Sequence, residues 1–230
     1  MKIFLVSKKN TWSDKLYHLI KDNIIVGAYG HFDCLYFNDD SYKKYLEYNS
    51  PDWVFFLHWS KKVPEKVYKN YRCVVLHTGN LPNGRGGSPI QNQILDGVVE
   101  SKVNAIVMGE EIDAGDVYCS LPITLQGSLT DIWLSIVDRA YELIRKCIFK
   151  NPKPKKQGSN ASVYLRNKNN ILPLDNTKDI FDVHKFIQML DGDGYQNSYY
   201  DIGNFRLEFS RSKIDNNKIL SDVIIRKIDE

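Results

Sequence analysis

A run of five apolar residues, Trp53-Val54-Phe55-Phe56-Leu57, constrains the fold of this chain more than any other feature. A run without polar alternation is typical of a strand buried on both faces, as the strands of parallel sheets are. We predict further strands at Ile3–Val6, Asn23–Val26, Cys34–Phe37, Cys73–Leu76, Val103–Met108 and Val117–Ile123. Because helix-like segments separate these runs, the sequence predicts an α/β fold with a mostly parallel sheet covered on both faces.

Capping signals mark where three of the helices start. Thr11-Trp12-Ser13-Asp14, Ser88-Pro89-Ile90-Gln91 and Ser128-Leu129-Thr130-Asp131 each place a hydroxyl three residues before an acidic or amide side chain. That spacing is the pattern of a capping box, so we predict a helix at each of the three segments. The third begins a long amphipathic helix that we expect to pack one face on the sheet.

The composition changes at residues 151–160, where two prolines, three lysines and a glycine predict a linker. We therefore divide the chain into a main domain over residues 1–150 and a small C-terminal α+β subdomain over residues 161–230. The four cysteines, Cys34, Cys73, Cys119 and Cys147, are widely spaced. Such spacing favours buried thiols in a reducing compartment over a disulfide or zinc framework.

The charge balance argues against some classes of partner. Lys and Arg number 31 and Asp and Glu 28, a formal net charge of +3. A protein that depends on nucleic-acid phosphates usually carries more, so we expect no nucleic acid among the partners. No segment approaches the roughly 20 apolar residues that span a bilayer, and Ile3–Val6 is too short for a signal-peptide core. We expect a soluble, cytoplasmic protein without a membrane partner.

The stretch from Leu76 to Gln91 carries the signs of a functional site. It joins the end of a strand, a loop with glycines at 79, 84, 86 and 87, and a helix start. His77 ends the strand at the edge where open α/β sheets bind ligands. Arg85 could grip a phosphate or carboxylate, and the helix start after Ser88 favours an anion. The alternative is a glycine-rich connector with a structural histidine; the coincidence of the three features favours a functional site.

Asp113 is the second candidate, in an acidic turn that follows a predicted strand. Ile112 before it and Ala114-Gly115 after it indicate a tight, partly buried turn. We interpret the other acids, Glu110, Glu111 and Asp116, as solvated. A buried aspartate facing His77 would orient the imidazole and stabilise a positive charge on it. No G-x-G-x-x-G follows the first strand, which argues against a nicotinamide cofactor.

These residues resemble a known family. The segment from His77 through Leu81-Pro82 to Pro89, together with Ile112–Asp116, is similar to the motifs of the N10-formyltetrahydrofolate-dependent formyltransferases. The spacing of His77 and Asp113, 113 − 77 = 36 residues, also suits that family. The resemblance implies a Rossmann-like catalytic core over residues 1–150 and N10-formyltetrahydrofolate as co-substrate. It also implies that His77 is the acid and base, that Asp113 orients it, and that no metal takes part.

Further segments resemble one branch of the family. His58-Trp59-Ser60, the string Leu81–Asn92 and the tail Met189–Arg211 look like sugar formyltransferases of pseudaminic-type nonulosonic acid pathways and formylation domains of nonribosomal peptide synthetases. This branch implies a small-molecule acceptor, the primary amine of a nucleotide-linked, UDP-type 4-amino-6-deoxy sugar. It also allows a homodimer.

The chain departs from the family at one position. Many members have an asparagine two residues before the histidine, where this chain has Val75. A valine side chain cannot hydrogen-bond a developing oxyanion. Asn80 and His58 are the candidates to replace it, on loop position alone.

The resemblance also assigns binding residues. For the folate they are Lys61, Lys62, Val63 and Asp113. For the acceptor they are Asn80, Arg85, Gly86, Gly87, Ser88 and Arg166. Three other functions stay open: formyl transfer to a carrier- or tRNA-bound aminoacyl group, hydrolysis of the formyl folate, and non-catalytic binding of a nucleotide sugar. No ligand spacing supports a metal site.

Overall fold

The computed structural model describes residues 1–24, 33–177 and 179–228. Its strands are β1 Lys2–Ser7, β2 Asp33–Phe37, β3 Trp53–Leu57, β4 Cys73–Thr78, β5 Arg85–Gly86, β6 Glu100–Val107, β7 Val117–Thr124, β8 Val163–Tyr164, β9 Ser198–Ile202, β10 Phe205–Asp215 and β11 Lys218–Lys227. Its helices are α1 Thr11–Ile24, α2 Tyr42–Asn49, α3 Glu65–Asn70, α4 Pro89–Leu95, α5 Leu129–Lys150 and α6 Ile180–Gln188. Of the strand predicted over 23–26, residues 23 and 24 end α1, and 25 and 26 lie outside the described residues.

The central sheet has six strands in the order β2-β1-β3-β4-β6-β7. The first four strands run parallel, while β6 is antiparallel to β4 and β7 is antiparallel to β6. The predicted α/β fold with a mostly parallel sheet is therefore confirmed. Leu57 of β3 pairs with Leu76 of β4, so these two strands end together at one edge of the sheet.

The two faces of the sheet carry two separate apolar clusters. Leu57 and Leu76 belong to the larger one, which includes the buried face of α5. Val54 and Phe56 belong to the smaller one, together with residues of α2 and α3. Because neighbouring residues of a strand point to opposite faces, His77 leaves β4 on the side away from α5.

The three predicted caps have different outcomes. The capping box at Ser128 is confirmed, since Ser128 and Asp131 exchange side-chain and backbone hydrogen bonds. At α1 the predicted Thr11 cap is wrong, because the hydroxyl of Thr11 donates to Asp193 instead. The cap is Asn10, whose Oδ1 accepts from the backbone N–H of Ser13 at 2.8 Å. At α4 the helix begins at Pro89 as predicted, but the predicted Ser88 cap is wrong. Ser88 has a left-handed φ of 47° and no side-chain cap, because its hydroxyl oxygen accepts from the backbone N–H of Asn167.

The C-terminal part folds back on the sheet. Strand β8 pairs with β5 in the glycine-rich loop, and the buried residues of α6 join the larger apolar cluster. Strands β9, β10 and β11 form a separate antiparallel sheet. The division at residues 151–160 stays a prediction. None of the helices in the described ranges is long and apolar enough to cross a membrane.

Candidate active site

The candidate site lies where β3 and β4 end, beside the turn between β6 and β7. Its centre is an ion pair between His77 and Asp113, with 3.2 Å from Nδ1 to Oδ2. The two side chains are only 5% and 11% exposed. The sequence predicted such a buried aspartate in a tight turn, and the structure brings the two residues together.

Both ring nitrogens of His77 face an acceptor. Nδ1 faces the Asp113 carboxylate, and Nε2 lies 2.8 Å from the carbonyl oxygen of Gly84. A neutral imidazole has one donor nitrogen, so the ring can donate to both acceptors only as an imidazolium. The two contacts therefore fix the orientation of the His77 ring.

The turn that holds Asp113 is fixed by backbone contacts. Asp113 has a left-handed φ of 54°, and its Oδ2 accepts from the backbone N–H of Gly86 at 3.0 Å. Gly115 follows where the chain passes very close to β6, since a Cβ there would lie 1.8 Å from the carbonyl oxygen of Val107. Only glycine fits this position.

Gln157 ties the turn to the glycine-rich loop. Its amide nitrogen donates to the carbonyl oxygens of Asp113 and Gly115, each at 2.8 Å. Its amide oxygen accepts from Nε and Nη2 of Arg85, at 3.1 and 2.8 Å. In this structure Arg85 therefore supports the Asp113 turn instead of facing the cleft. Sequence reasoning missed Gln157, because it lies in the predicted linker and no local motif marks it.

The other predicted acceptor residues fall into two groups. Gly86, Gly87, Ser88 and Arg166 line the cleft next to His77. Asn80 does not line it: the residue is exposed, and its amide donates to the carbonyl oxygen of Glu100 at the start of β6.

The residues predicted for the folate lie at the margin of the cleft. Its lining along this loop includes Trp59 and Ser60. Lys61 is exposed and forms an ion pair with Asp40 at 2.7 Å. Lys62 is exposed, and Val63 is buried in the smaller apolar cluster. Any contact from these last three residues to a ligand in the cleft would thus come from their backbone.

The cleft has a volume of about 330 Å³, near the lower end for small-molecule sites. One wall contains Trp133 and His58, whose rings lie 4.8 Å apart. Two exposed cations, Lys8 and Arg166, also line it. Burial, and to a smaller extent the charges of these two cations, lower the pKa of His58 to about 4. Within residues 1–24, 33–177 and 179–228, no group of three or more His, Cys, Asp or Glu side chains could hold a metal ion.

Comparison with known proteins supports the family. Residues 167–226 match the model of the methionyl-tRNA formyltransferase C-terminal domain. The methionyl-tRNA formyltransferase of Campylobacter curvus is 34% identical over 119 residues, which are 50% of this chain and 40% of that protein. The matched region thus spans less than half of that curated relative.

Solved structures extend the match. A methionyl-tRNA formyltransferase from Clostridium thermocellum is 31% identical, with a TM-score of 0.89 over 99% of both chains. HypX from Aquifex aeolicus, solved with tetrahydrofolic acid, is 17% identical, with a TM-score of 0.72 over 92% of this chain and 38% of that one. The second likeness shows a shared fold alone.

These matches correct two predictions. The relatives from Campylobacter curvus and Clostridium thermocellum are both named for methionyl-tRNA, so the prediction of a nucleotide-linked amino sugar as acceptor is wrong. The prediction of a small-molecule partner and no nucleic acid is wrong for the same reason. The family itself is shown by the alignment with the Clostridium thermocellum protein, at 31% identity over 99% of each chain. This chain belongs to the formyltransferase family.

Proposed function

We propose that this chain transfers the formyl group of N10-formyltetrahydrofolate to the free amine of an aminoacyl group carried on tRNA. The observation that carries the proposal is the buried His77–Asp113 pair at the carboxyl edge of the parallel sheet. The likeness of this chain, over 99% of its length, to a methionyl-tRNA formyltransferase supports the choice of acceptor.

The chemistry needs a group that can move two protons. The neutral amine attacks the formyl carbon, the carbonyl oxygen becomes an oxyanion, and the bond to N10 then breaks. One proton leaves the amine nitrogen and one arrives at N10. An imidazole performs both transfers near neutral pH, so His77 takes this role. Asp113 holds the Nδ1 side of the ring and balances its positive charge.

The oxyanion needs a hydrogen-bond donor. Val75 lines the cleft and has no polar side-chain atom, and the amide of Asn80 is directed at Glu100. In this proposal His77 takes the amine proton at Nε2, the nitrogen that lies 2.8 Å from the carbonyl oxygen of Gly84 in the free protein. The resulting Nε2–H donates to the oxyanion, and the proton then passes to N10. One well-placed donor contributes about 3 kcal/mol to transition-state stability in comparable reactions.

The folate would enter along the loop after β3. Trp59 and Ser60 line this side of the cleft, and the backbone of Lys61, Lys62 and Val63 continues it. HypX, which shares the fold, was solved with tetrahydrofolic acid; the position of the folate along this loop is part of our proposal. A cleft of about 330 Å³ is large enough for the reacting ends of both substrates and leaves their remaining parts outside.

The positive charge at the cleft fits an acceptor on nucleic acid. Neither Lys8 nor Arg166 forms an ion pair with another described residue. Two cations would meet about two phosphates, which predicts a shallow salt dependence of binding with a logarithmic slope near −2.

The test is direct. The chain is mixed with N10-formyltetrahydrofolate and methionyl-tRNA, the ester is hydrolysed, and formylmethionine is measured by mass spectrometry. We expect formylmethionine from the wild type and none above background from His77→Asn, with free methionine as the control acceptor. Consumption of the folate without formylmethionine would contradict the acceptor, and an untouched folate would contradict the reaction.

A further inference from the structure

A second histidine, His58, stands at the end of the strand next to that of His77. Because Leu57 pairs with Leu76, the backbone of His58 continues beside that of His77, at a strand spacing of about 4.8 Å. His58 then turns away with a left-handed φ of 51°. Its ring packs on Trp133 of α5, with 4.8 Å between ring centres. His58 therefore forms the cleft wall on the α5 side, opposite the side of His77.

Asn10 fixes which nitrogen of His58 carries the proton. The Oδ1 of Asn10 accepts from the backbone N–H of Ser13 at 2.8 Å, so its Nδ2 is the atom 3.1 Å from Nδ1 of His58. An amide nitrogen only donates, which makes Nδ1 an acceptor and assigns the hydrogen to Nε2. In the described part of the chain Nε2 has no hydrogen-bond partner and is not among the buried unpaired atoms. It is therefore open to the cleft.

The surroundings keep this ring neutral. Burial, together with the charges of Lys8 and Arg166, holds the pKa of His58 at about 4. At cellular pH, His58 thus offers a single neutral N–H to the cleft. Such a donor suits a carbonyl oxygen, and it adds no charge that would attract or repel the amine next to it. The same burial and the same cations favour the uncharged form of an amine bound there, which is the form that attacks.

We propose that His58 is an acceptor-binding residue: its Nε2–H donates to the ester carbonyl oxygen of the aminoacyl group and so presents the adjacent amine to the His77 side of the cleft. This inference rests on the proposed function and names the contact that positions the acceptor. Trp133 supports the ring from behind, and Asn10 keeps the donor on the correct nitrogen.

The test compares three variants in steady-state kinetics. His58→Phe keeps a flat ring on Trp133 and removes the donor, while His58→Gln keeps an N–H at a similar reach. His18→Phe makes the same change at an exposed histidine outside the cleft. We expect His58→Phe to raise the KM for methionyl-tRNA about 5- to 10-fold, with little change in kcat or in the KM for the folate. His58→Gln should recover most of this loss, and His18→Phe should match the wild type.

Other outcomes overturn the inference. A fall in kcat with both KM values unchanged would assign His58 to the formyl oxygen, and no change at all would remove it from substrate binding. If the wild type formylates aminoacyl-tRNA and His58→Phe has the same KM as the wild type, only the role of His58 is refuted. A wild type that makes no formylmethionine refutes the proposed function, and the assigned carbonyl contact with it.

A measurement on the wild type covers the case in which His58→Phe does not fold. The histidines are labelled with ¹⁵N, and an amide-linked methionyl-adenosine is added as a stable acceptor mimic. The Nε2–H signal of His58 should shift on binding, while addition of tetrahydrofolate alone should leave it in place. A signal that responds only to the folate would contradict the inference.

Discussion

His58 and His77 end neighbouring strands and line one cleft, yet their surroundings differ in almost every respect. His77 faces a carboxylate and a carbonyl oxygen, so both of its nitrogens can donate. His58 faces the donor nitrogen of an amide, so only Nε2 can donate. The difference teaches that the hydrogen-bond partner, more than position in the sheet, decides what a histidine can do at a site.

The residues that hold the two histidine sites in place also differ. Asp113 is held by backbone groups of the glycine-rich loop and by Gln157. His58 is held by packing against the ring of Trp133, which is tilted by 36°, and by the side chain of Asn10. The first arrangement suits a residue that exchanges protons, and the second suits a residue that binds without titrating near neutral pH.

Removing His77 should have the largest effect. His77→Asn deletes the proton carrier and the oxyanion donor together, so we expect kcat/KM to fall by about three orders of magnitude or more. The free energy of unfolding should change little by comparison. Initial rates and a urea melt measure the two quantities. Activity near that of the wild type would sink the role assigned to His77.

A methyl group at Gly115 should destabilise the turn that holds Asp113 against His77. The Cβ of Gly115→Ala would lie 1.8 Å from the carbonyl oxygen of Val107, so we expect a loss of about 3 kcal/mol in the free energy of unfolding. Gly109→Ala is the matched control, because nothing lies within 4 Å of a Cβ there. Equal melting midpoints for the two variants would contradict the tight turn at Asp113.

The free energy of unfolding between pH 6.5 and pH 4 should depend on His58. Its pKa is about 4 in the folded protein and 6.5 for an ordinary histidine. Between these values the unfolded chain binds more protons, so the free energy of unfolding decreases as the pH falls from 6.5 to 4, by up to about 3 kcal/mol. His58→Gln removes this titration and should flatten the curve in that window. Parallel curves for variant and wild type would show that His58 titrates normally in the fold.

Asn10→Asp should make His58 more like His77. A carboxylate at this position still accepts from Ser13, and it also accepts from Nδ1 of His58. We expect the pKa of His58 to rise by about one unit or more, because an adjacent negative charge favours the imidazolium. A proton NMR titration of the His58 ring measures the shift. An unchanged titration would mean that Asn10 does not set the state of the ring.

Sequence patterns predicted the sheet, the Ser128 cap and the meeting of His77 with Asp113, since each depends on local periodicity or on the shared edge of parallel strands. They did not predict the roles of Asn10 and Gln157. Asn10 lies 48 residues from its partner His58, and Gln157 lies 44 residues from Asp113. Contacts over such separations follow from the fold and leave no local signature.

The prediction that no nucleic acid takes part was wrong because it relied on the net charge. A net charge of +3 averages over the whole chain and does not register two cations brought to one cleft. Lys8 and Arg166 are 166 − 8 = 158 residues apart in the sequence and line one cleft only in the folded protein. Net charge excludes an extensive phosphate-binding surface more safely than it excludes contact with the end of a tRNA.

The assignment of His58 as a neutral donor is tested most directly by ¹⁵N NMR of its imidazole ring in the wild type at pH 6. We expect His58 to show one protonated nitrogen, Nε2, and one unprotonated nitrogen, Nδ1. A proton on Nδ1 of His58, or protons on both of its nitrogens, would contradict the assignment of this ring to binding as a neutral donor.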